Sequence, residues 1–163
     1  MTHTKKKEKK LKIEEWKLVK VSLATAFFDK EGILERFNTK KWEIYNCAFG
    51  ENIGHEQSDE RPVLIISGNF FNKNSTIVTV APLSTKFSTK VVTVKGRKKE
   101  VLKYKCQYLL EKRFFPFLND DSVIKFDQIK TVSKCRLGAK IGEIAHEDTQ
   151  NRLNKKLCEF LDI

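Results

Sequence analysis

Two short apolar runs separated by a loop constrain the fold of this chain more than any other feature. Residues 63–66 and residues 75–80 are rich in β-branched side chains, and each run is bounded by Pro, Gly, Asn or Ser. Runs of this length and composition predict buried β-strands rather than helices, which need a longer periodic pattern. The turn before the first strand carries Arg61, and the loop after the second strand carries Ser84. The pattern therefore predicts that an arginine and a hydroxyl group meet at one mouth of the fold.

The charge of the chain favours a polyanionic partner. Its 163 residues are enough for one core, and 32 Lys and Arg against 21 Asp and Glu give a net charge of +11. Such a surplus suits nucleic acid or an anionic membrane surface. No stretch approaches the ~20 apolar residues that a membrane span needs, and the basic N-terminus lacks the apolar segment of a signal peptide. We therefore expect a cytoplasmic protein without a membrane partner.

The cysteines do not indicate a metal site. Cys47, Cys106, Cys135 and Cys158 are widely scattered, without a C-x-x-C pair and without a histidine at zinc-ligand spacing. We expect four free thiols, no bound metal and no cofactor.

The first forty residues differ from the rest of the chain. Residues 1–20 hold eight Lys and three Glu, a net charge of +5, and the lysine run at residues 5–10 predicts disorder. Apolar residues then recur at helical spacing, which predicts a helix from residue 13 to about residue 28, a break at residues 29–32 and another helical turn. We expect one domain at residues 41–163, preceded by a basic helical extension at residues 1–40.

Three uses of this extension remain open. It could pack on the domain or on a dimer partner through a stripe that contains Trp16. It could bind phosphates through its charge, or it could be a fused inhibitory segment, which its positive charge disfavours.

Further elements follow from the pattern downstream. Residues 90–95 predict a strand, and residues 122–132 predict a final long strand. A C-terminal helix from about residue 147 presents Leu153, Leu157, Phe160 and Leu161 on one side. Residues 100–119 interleave basic and aromatic side chains, which is typical of single-stranded nucleic-acid surfaces, although we expect Phe114 and Phe117 to lie in the core.

Several separate segments resemble the MazF/PemK family of toxin endoribonucleases. They run in the family's order from about residue 42 to the C-terminus and read Gly50-x-Asn52-Ile53-Gly54-x-Glu56-Gln57-Ser58-x-x-Arg61-Pro62, Val80-Ala81-Pro82-Leu83-Ser84 and Asp127-Gln128-Ile129-Lys130-Thr131-Val132. Several segments in order are more specific than one short pattern. The resemblance implies a mainly β fold with helices (α+β), a small SH3-like, PemK-type β-barrel with a C-terminal helix, to which the N-terminal helical extension is added. Residues 42–49 resemble the opening strand of the family. The resemblance also implies a homodimer, single-stranded RNA as substrate and a cognate antitoxin protein as partner.

The function implied by the resemblance is that of a type II toxin, a metal-independent endoribonuclease that uses the ribose 2′-hydroxyl as nucleophile and cuts at a short sequence. Arg61 suits the negative charge of the reacting phosphate, because its rigid fork of donors matches two phosphate oxygens. In the family the arginine before the proline is catalytic; the alternative is a structural salt bridge to Asp59 or Glu60. Ser84 lies where the family usually carries a catalytic threonine and retains a hydroxyl. The alternatives are that Thr85 takes over or that Ser84 caps a turn.

Substrate contacts and proton transfer involve a second group of residues. His55 and Glu56 are the nearby titratable side chains, although the family usually has a small residue at the position of His55, and an exposed loop histidine is the alternative. Glu56, Gln57 and Gln128 match family residues at or near the RNA site, and the alternative for them is contacts that fix a loop. The rival function is a catalytically weak or inactive module on the same scaffold that binds nucleic acid or protein, such as a mobile-element or phage inhibitor.

Overall fold

The structure is a computed structural model that describes residues 2–163, folded as a mainly antiparallel sheet with helices at both ends of the chain. In chain order the elements are α1 (Thr2–Arg36), β1 (Glu43–Ala48), β2 (Glu60–Ile65), α2 (Asn69–Lys73), β3 (Ile77–Ser84), β4 (Thr89–Val94), β5 (Arg97–Leu102), β6 (Gln107–Leu110), β7 (Ser122–Lys125), a 3₁₀ turn (Phe126–Gln128), β8 (Lys130–Ser133), a 3₁₀ turn (Lys134–Arg136), β9 (Leu137–Glu143) and α3 (Glu147–Leu161).

Seven of the strands form one sheet in the order β6-β7-β3-β2-β1-β9, with β8 paired to β3. One edge of β3 pairs with β2. Along the other edge, the first half of β3 pairs with β8 and its last two residues pair with β7. Strands β4 and β5 form a separate hairpin. The predicted α+β class, with a C-terminal and an N-terminal helix, is confirmed. The sheet is open rather than a closed barrel, because no ladder joins β6 to β9 within residues 2–163.

The core consists of two clusters on opposite faces of the sheet. Val63 and Ile65 belong to one cluster and Leu64 to the other, as the alternation of side chains along a strand requires. The cluster that contains Leu64 also holds Phe126 and Leu153, so it is the one on which α3 packs.

The strands at residues 63–66 and 75–80 are correctly predicted, although β3 continues to Ser84. The strands near residues 42–49 and 90–95 and the C-terminal helix are also confirmed. The long strand at residues 122–132 is wrong. Phe126 is buried in a 3₁₀ turn that separates β7 from β8, and this turn allows the two strands to pair with different parts of β3. Strands β5, β6 and β9 are not predicted from the sequence.

Helix α1 is one continuous helix, so the predicted disorder at residues 5–10 and the predicted break at residues 29–32 are both wrong. The contacts of α1 with the rest of the chain explain the length of the helix. Lys9 forms a salt bridge with Glu51 near one end of α1, and Leu34 is buried near the other end. Trp16 and Leu23 lie half-buried between them. No helix within residues 2–163, α1 included, is long and apolar enough to cross a membrane.

Of the two phenylalanines that were expected in the core, one packs there and the other does not. Phe117 packs against the core as expected, whereas Phe114 is exposed and lies next to the Arg113 guanidinium, 4.6 Å from its ring centre. In α3 the predicted apolar side is only partly covered, because Leu153 and Leu157 contact the core while Phe160 and Leu161 are exposed.

Leu153 should therefore anchor α3. We expect Leu153→Ala to lower the free energy of unfolding by about 2–5 kcal/mol, because the residue is 0% exposed and its loss leaves a cavity. Phe160→Ala, at a position of the same helix that is 41% exposed, should change it by no more than about 0.5 kcal/mol. Urea unfolding of both variants measures the difference, and equal losses would contradict the assignment.

Candidate functional site

The pairing of β2 with β3 brings Arg61 and Ser84 together. Val63 pairs with Pro82 and Leu64 with Ala81 in an antiparallel register. Continued by two residues, this register puts Arg61 opposite Ser84, and residues opposite each other in a ladder present their side chains on the same face. The two residues that the sequence singled out therefore lie at one place in the fold.

A cavity of about 360 Å³ opens at this place. It is lined by Gln57, Arg61, Pro62, Leu83, Ser84, Thr85, Lys86, Ser122 and Lys125. The lining contains three cationic side chains and, among the described residues, no carboxylate or imidazole. A cavity with this lining attracts anions.

Arg61 is held by neutral acceptors rather than by a carboxylate. Its Nε donates to the Ser58 carbonyl oxygen at 2.6 Å, and its terminal nitrogens donate to the same carbonyl and to Gln57 Oε1. The predicted alternative, a salt bridge to Asp59 or Glu60, is not formed in the part of the chain that the structure describes. Burial lowers the pKa of Arg61, and the nearby charge of Asp59 opposes this shift. A guanidinium has more N–H groups than these contacts use, so donors remain for a bound anion.

The Ser84 hydroxyl takes part in a local turn. Its Oγ accepts the backbone N–H of Lys86 at 3.1 Å and lies 3.2 Å from the Lys86 carbonyl oxygen, to which it donates. A hydroxyl has a second lone pair and a rotatable proton, so this contact fixes the oxygen and leaves it able to bond a ligand. Thr85 lines the same cavity and is exposed.

A network of hydrogen bonds shapes the loop of residues 50–59, which precedes Arg61. The Asp59 N–H donates to the Gly50 carbonyl at 2.9 Å. This hydrogen bond joins the two ends of the loop, Gly50 and Asp59, which together form its neck. Inside it, the backbone N–H of Asn52 donates to Ser58 Oγ at 3.0 Å, and Asn52 Nδ2 donates to the Gln57 carbonyl at 2.6 Å. Hydrogen bonds thus connect the two sides of the loop next to the residues that hold Arg61.

Gln128 secures this loop from outside. Its Oε1 accepts the backbone N–H of Gln57 at 3.1 Å, which is the loop-fixing contact weighed for it as an alternative. Lys130 contacts the same loop by donating to Asn52 Oδ1 at 3.1 Å. Residues 128–130 therefore support the site from behind rather than line the cavity.

His55 and Glu56 lie outside the cavity. Both are exposed at the tip of the loop, and neither contributes to the cavity lining. Glu56 lies close enough to act on Lys130: burial and repulsion by Arg136 lower the pKa of Lys130, and the Glu56 carboxylate opposes that shift. The structure thus brings together Arg61, Gln57, Ser84 and Thr85, and leaves His55 and Glu56 at the rim.

Three of the polar residues that line the cavity were not predicted as site residues. Lys86 directly follows the segment that ends in Ser84 and Thr85, so its position in the sequence could have indicated it. Ser122 and Lys125 lie at the two ends of β7, which reaches the cavity because Val123 pairs with Ser84. No local pattern in the sequence indicates that pairing.

The family of the chain follows from its sequence as well as its fold. Residues 40–161 match the PemK-like, MazF-like toxin of type II toxin-antitoxin system. The chain belongs to this family. The match begins after the end of α1, and it confirms the resemblance drawn from the motifs. No curated protein sequence matches the chain.

Solved structures show the same fold. MazF from Deinococcus radiodurans is similar with a TM-score of 0.57 and 20% identity, over 78% of this chain and 99% of that one. Toxin MazF-mt6 of Mycobacterium tuberculosis has a TM-score of 0.53 and 22% identity, over 74% and 97% of the two chains. An endoribonuclease from a mycobacterial species, in complex with its cognate antitoxin, has a TM-score of 0.52 and 20% identity, over 78% and 96%.

Asn52 should be the main internal support of the loop. We expect Asn52→Ala to lower the free energy of unfolding by about 1–3 kcal/mol, because the Gln57 carbonyl and the Lys130 ammonium lose their partner. Asn119→Ala, at an exposed position far along the chain, should stay within about 0.5 kcal/mol of the parent protein. Urea unfolding measures both, and a neutral Asn52→Ala would show that the network does not stabilise the fold.

Proposed function

We propose that this protein is a metal-independent, sequence-specific endoribonuclease, the toxin of a type II toxin-antitoxin system, which cleaves single-stranded RNA. The observation that carries the proposal is the meeting of Arg61 and Ser84 in one cation-lined cavity. Membership of the PemK-like, MazF-like toxin family supports it, and similar solved structures include endoribonucleases of mycobacterial species.

The proposed reaction is an in-line displacement at phosphorus. The 2′-oxygen of a ribose attacks its own 3′ phosphate, the bond to the 5′-oxygen of the next nucleotide breaks, and the products carry a 2′,3′-cyclic phosphate and a 5′-hydroxyl. The proton of the 2′-hydroxyl is lost as the new P–O bond forms, and the leaving 5′-oxygen takes up a proton. Negative charge accumulates on the phosphate oxygens in the transition state.

In this proposal Arg61 stabilises that charge. Its position is set by Ser58 and Gln57, neither of which is ionised, so its own charge is not neutralised by a protein carboxylate. Donors that are already in place cost little reorganisation when the charge develops. Lys86 and Lys125 line the same cavity and add to its attraction for phosphates of the strand.

Ser84 donates a hydrogen bond to a phosphate oxygen in the proposed mechanism, with Thr85 as the neighbouring hydroxyl. Lys86 holds the Ser84 oxygen in place by its backbone N–H, and in this proposal the hydroxyl proton turns from the Lys86 carbonyl to the phosphate when the substrate binds. No carboxylate or imidazole lines the described cavity, and we therefore assign the chemistry to positioning and charge stabilisation, with water as the acceptor of the 2′ proton and as the donor of the proton that the leaving 5′-oxygen takes up.

We assign the remaining predicted residues to RNA binding. Gln57 lines the cavity beside Arg61 and can reach a base edge next to the cut. His55, Glu56 and Gln128 belong to or support the same loop, and unpaired bases are recognised by hydrogen bonds to their edges and by stacking. Differences at the loop tip would therefore change the cleaved sequence rather than the chemistry.

The proposal includes two protein partners. A type II toxin is held by a cognate antitoxin, and a cation-lined cavity suits an acidic antitoxin segment that competes with RNA. We also propose a homodimer in the cytoplasm, as the family resemblance implies.

One observation favours the rival function of a binding module. The Ser84 hydroxyl is already bonded within its own turn, and a phosphate held only by the cations of the cavity would be bound without being cleaved. Product analysis separates the two functions, since a binding module retards RNA in a gel and leaves its length unchanged.

Cleavage should survive removal of metals and depend on Arg61. In EDTA we expect the parent protein to cut single-stranded RNA, and Arg61→Ala to lower kcat by about 10²–10³-fold, the usual cost of losing one preorganised donor to a developing charge. Arg97→Ala is the matched control, because Arg97 is an exposed arginine at the start of β5 and is not among the residues that line the cavity. Intact RNA with the parent protein, or full activity of Arg61→Ala, would overturn the proposal.

The hydroxyls of Ser84 and Thr85 should contribute unequally to the cleavage rate. We expect Ser84→Ala to lower kcat by about tenfold or more and Thr85→Ala by no more than about threefold, because only the Ser84 oxygen is oriented by a neighbouring backbone group. Single-turnover cleavage of a short RNA measures both rates. A larger loss in Thr85→Ala would transfer the role to Thr85.

A further inference from the structure

We propose that helix α1 is a positioning element of the cleavage site, which clamps the neck of the loop at residues 50–59 and thereby fixes Arg61. The effect on catalysis rests on the proposed function, whereas the clamp itself is a structural claim that can be tested without RNA. The helix precedes the segment that matches the family, residues 40–161, so this device is an addition to the matched domain.

Trp16 packs against the neck of the loop at Gly50. Gly50 has a φ of +96°, and a Cβ at this position would lie 2.7 Å from Trp16 Cζ2. The indole also lies next to the Arg136 guanidinium, whose carbon is 5.4 Å from the ring centre. Arg136 in turn donates to the Phe49 carbonyl at 3.3 Å. The ring therefore contacts the first residue of the loop and a side chain that is bonded to the residue before it.

Two lysines of α1 hold the two sides of the neck. Lys9 pairs with the Glu51 carboxylate, which is only 6% exposed, and also donates to the Asn52 carbonyl. Lys12 pairs with Asp59 at 3.2 Å. Lys9, Lys12 and Trp16 are spaced by three and four residues, so they share one face of the helix. That face meets the loop on both sides of the bond between Asp59 and Gly50.

The clamped neck is directly connected to Arg61. Ser58 precedes Asp59 in the chain, and its carbonyl accepts hydrogen bonds from the guanidinium, while its hydroxyl accepts the N–H of Asn52. A displacement of the neck therefore moves the groups that aim Arg61. Small displacements matter, because a misplacement of about 1 Å from a distant change can cost about 10²-fold in rate.

The helix acts from outside the cavity. Among the residues that the structure describes, none that lines the cavity belongs to α1, so Trp16 lies outside the cavity. The competing role for α1 is direct RNA binding through its exposed lysines, such as Lys6 and Lys10. The two roles differ in kinetics: a positioning element changes kcat, whereas phosphate-binding lysines change KM and its salt dependence.

The test uses the full chain and compares variants on the face of α1 that contacts the loop with control variants elsewhere on the same helix. Trp16→Ala removes the ring from Gly50, and Leu18→Ala is its control, because Leu18 is 75% exposed on the same helix. Lys9→Gln removes the contact with Glu51, and Lys17→Gln is its control, because Lys17 pairs only with Glu14 of its own helix. Circular dichroism establishes that each variant is folded, and Lys9→Gln keeps the proposal testable should Trp16→Ala not fold.

Two measurements are made on each variant. Amide hydrogen exchange should accelerate by about tenfold or more at Asn52 and Asp59 in Trp16→Ala and Lys9→Gln, because these amides are bonded within the clamped loop. RNA cleavage should show kcat lowered by about tenfold or more with KM within about threefold. Leu18→Ala and Lys17→Gln should match the parent protein in both measurements.

Each contrary outcome has its own meaning. Unchanged exchange at Asn52 and Asp59 in both clamp variants overturns the clamp, whatever the activity. Accelerated exchange with unchanged kcat overturns its role in positioning Arg61, and a rise in KM alone replaces it with direct RNA binding. If the parent protein cleaves no RNA, the proposed endoribonuclease function fails, while the exchange comparison still decides whether the clamp exists.

Discussion

The register between β2 and β3 determines where the candidate catalytic groups lie. Val63 and Ile65 are fully buried on one face of the sheet, and Arg61 occupies the same alternation two residues earlier. A slip of one residue would turn every side chain of the strand to the other face, so the burial of two apolar residues also fixes the direction of the arginine. On β3, the burial of Val80 fixes in the same way the direction of Ser84, which lies four residues further along the strand. A hydrophobic constraint thus sets the geometry of a polar site.

The choice of partners for Arg61 then sets its electrostatic state. A carboxylate at hydrogen-bond distance would have stabilised the fold locally and cancelled the charge that a phosphate needs. Carbonyl and amide oxygens orient the guanidinium without cancelling it. Partial burial lowers the pKa of Arg61 because its charge has lost part of its hydration. Such a cation has more to gain from an incoming anion than one that is fully solvated, which is why half-burial next to Lys86 and Lys125 favours phosphate binding.

Local patterns predicted the parts of this molecule that local physics decides. The apolar runs identified β2 and β3, and the spacing of Leu153 and Leu157 identified α3. The turn at Phe126 was missed, because the residue is buried through pairing of β7 and β8 with a distant strand. Continuity of α1 was missed for the same reason: its ends are held by contacts with Glu51 and Lys134, far away in the sequence. In the site, motifs indicated Arg61 and Ser84, whereas Lys125 reaches the cavity only through sheet topology.

The contacts of α1 also redistribute charge around the site. The loop next to Arg61 carries Glu51 and Asp59, whose negative charges would repel a phosphate strand approaching the cavity. Both carboxylates instead face lysines of α1, and a buried charge such as that of Glu51 would be strongly destabilising without a partner. Their neutralisation leaves the positive field of the cavity lining less opposed. One helix face therefore acts on the site in two ways, by restraining the backbone that orients Arg61 and by compensating the acidic side chains that the loop brings with it.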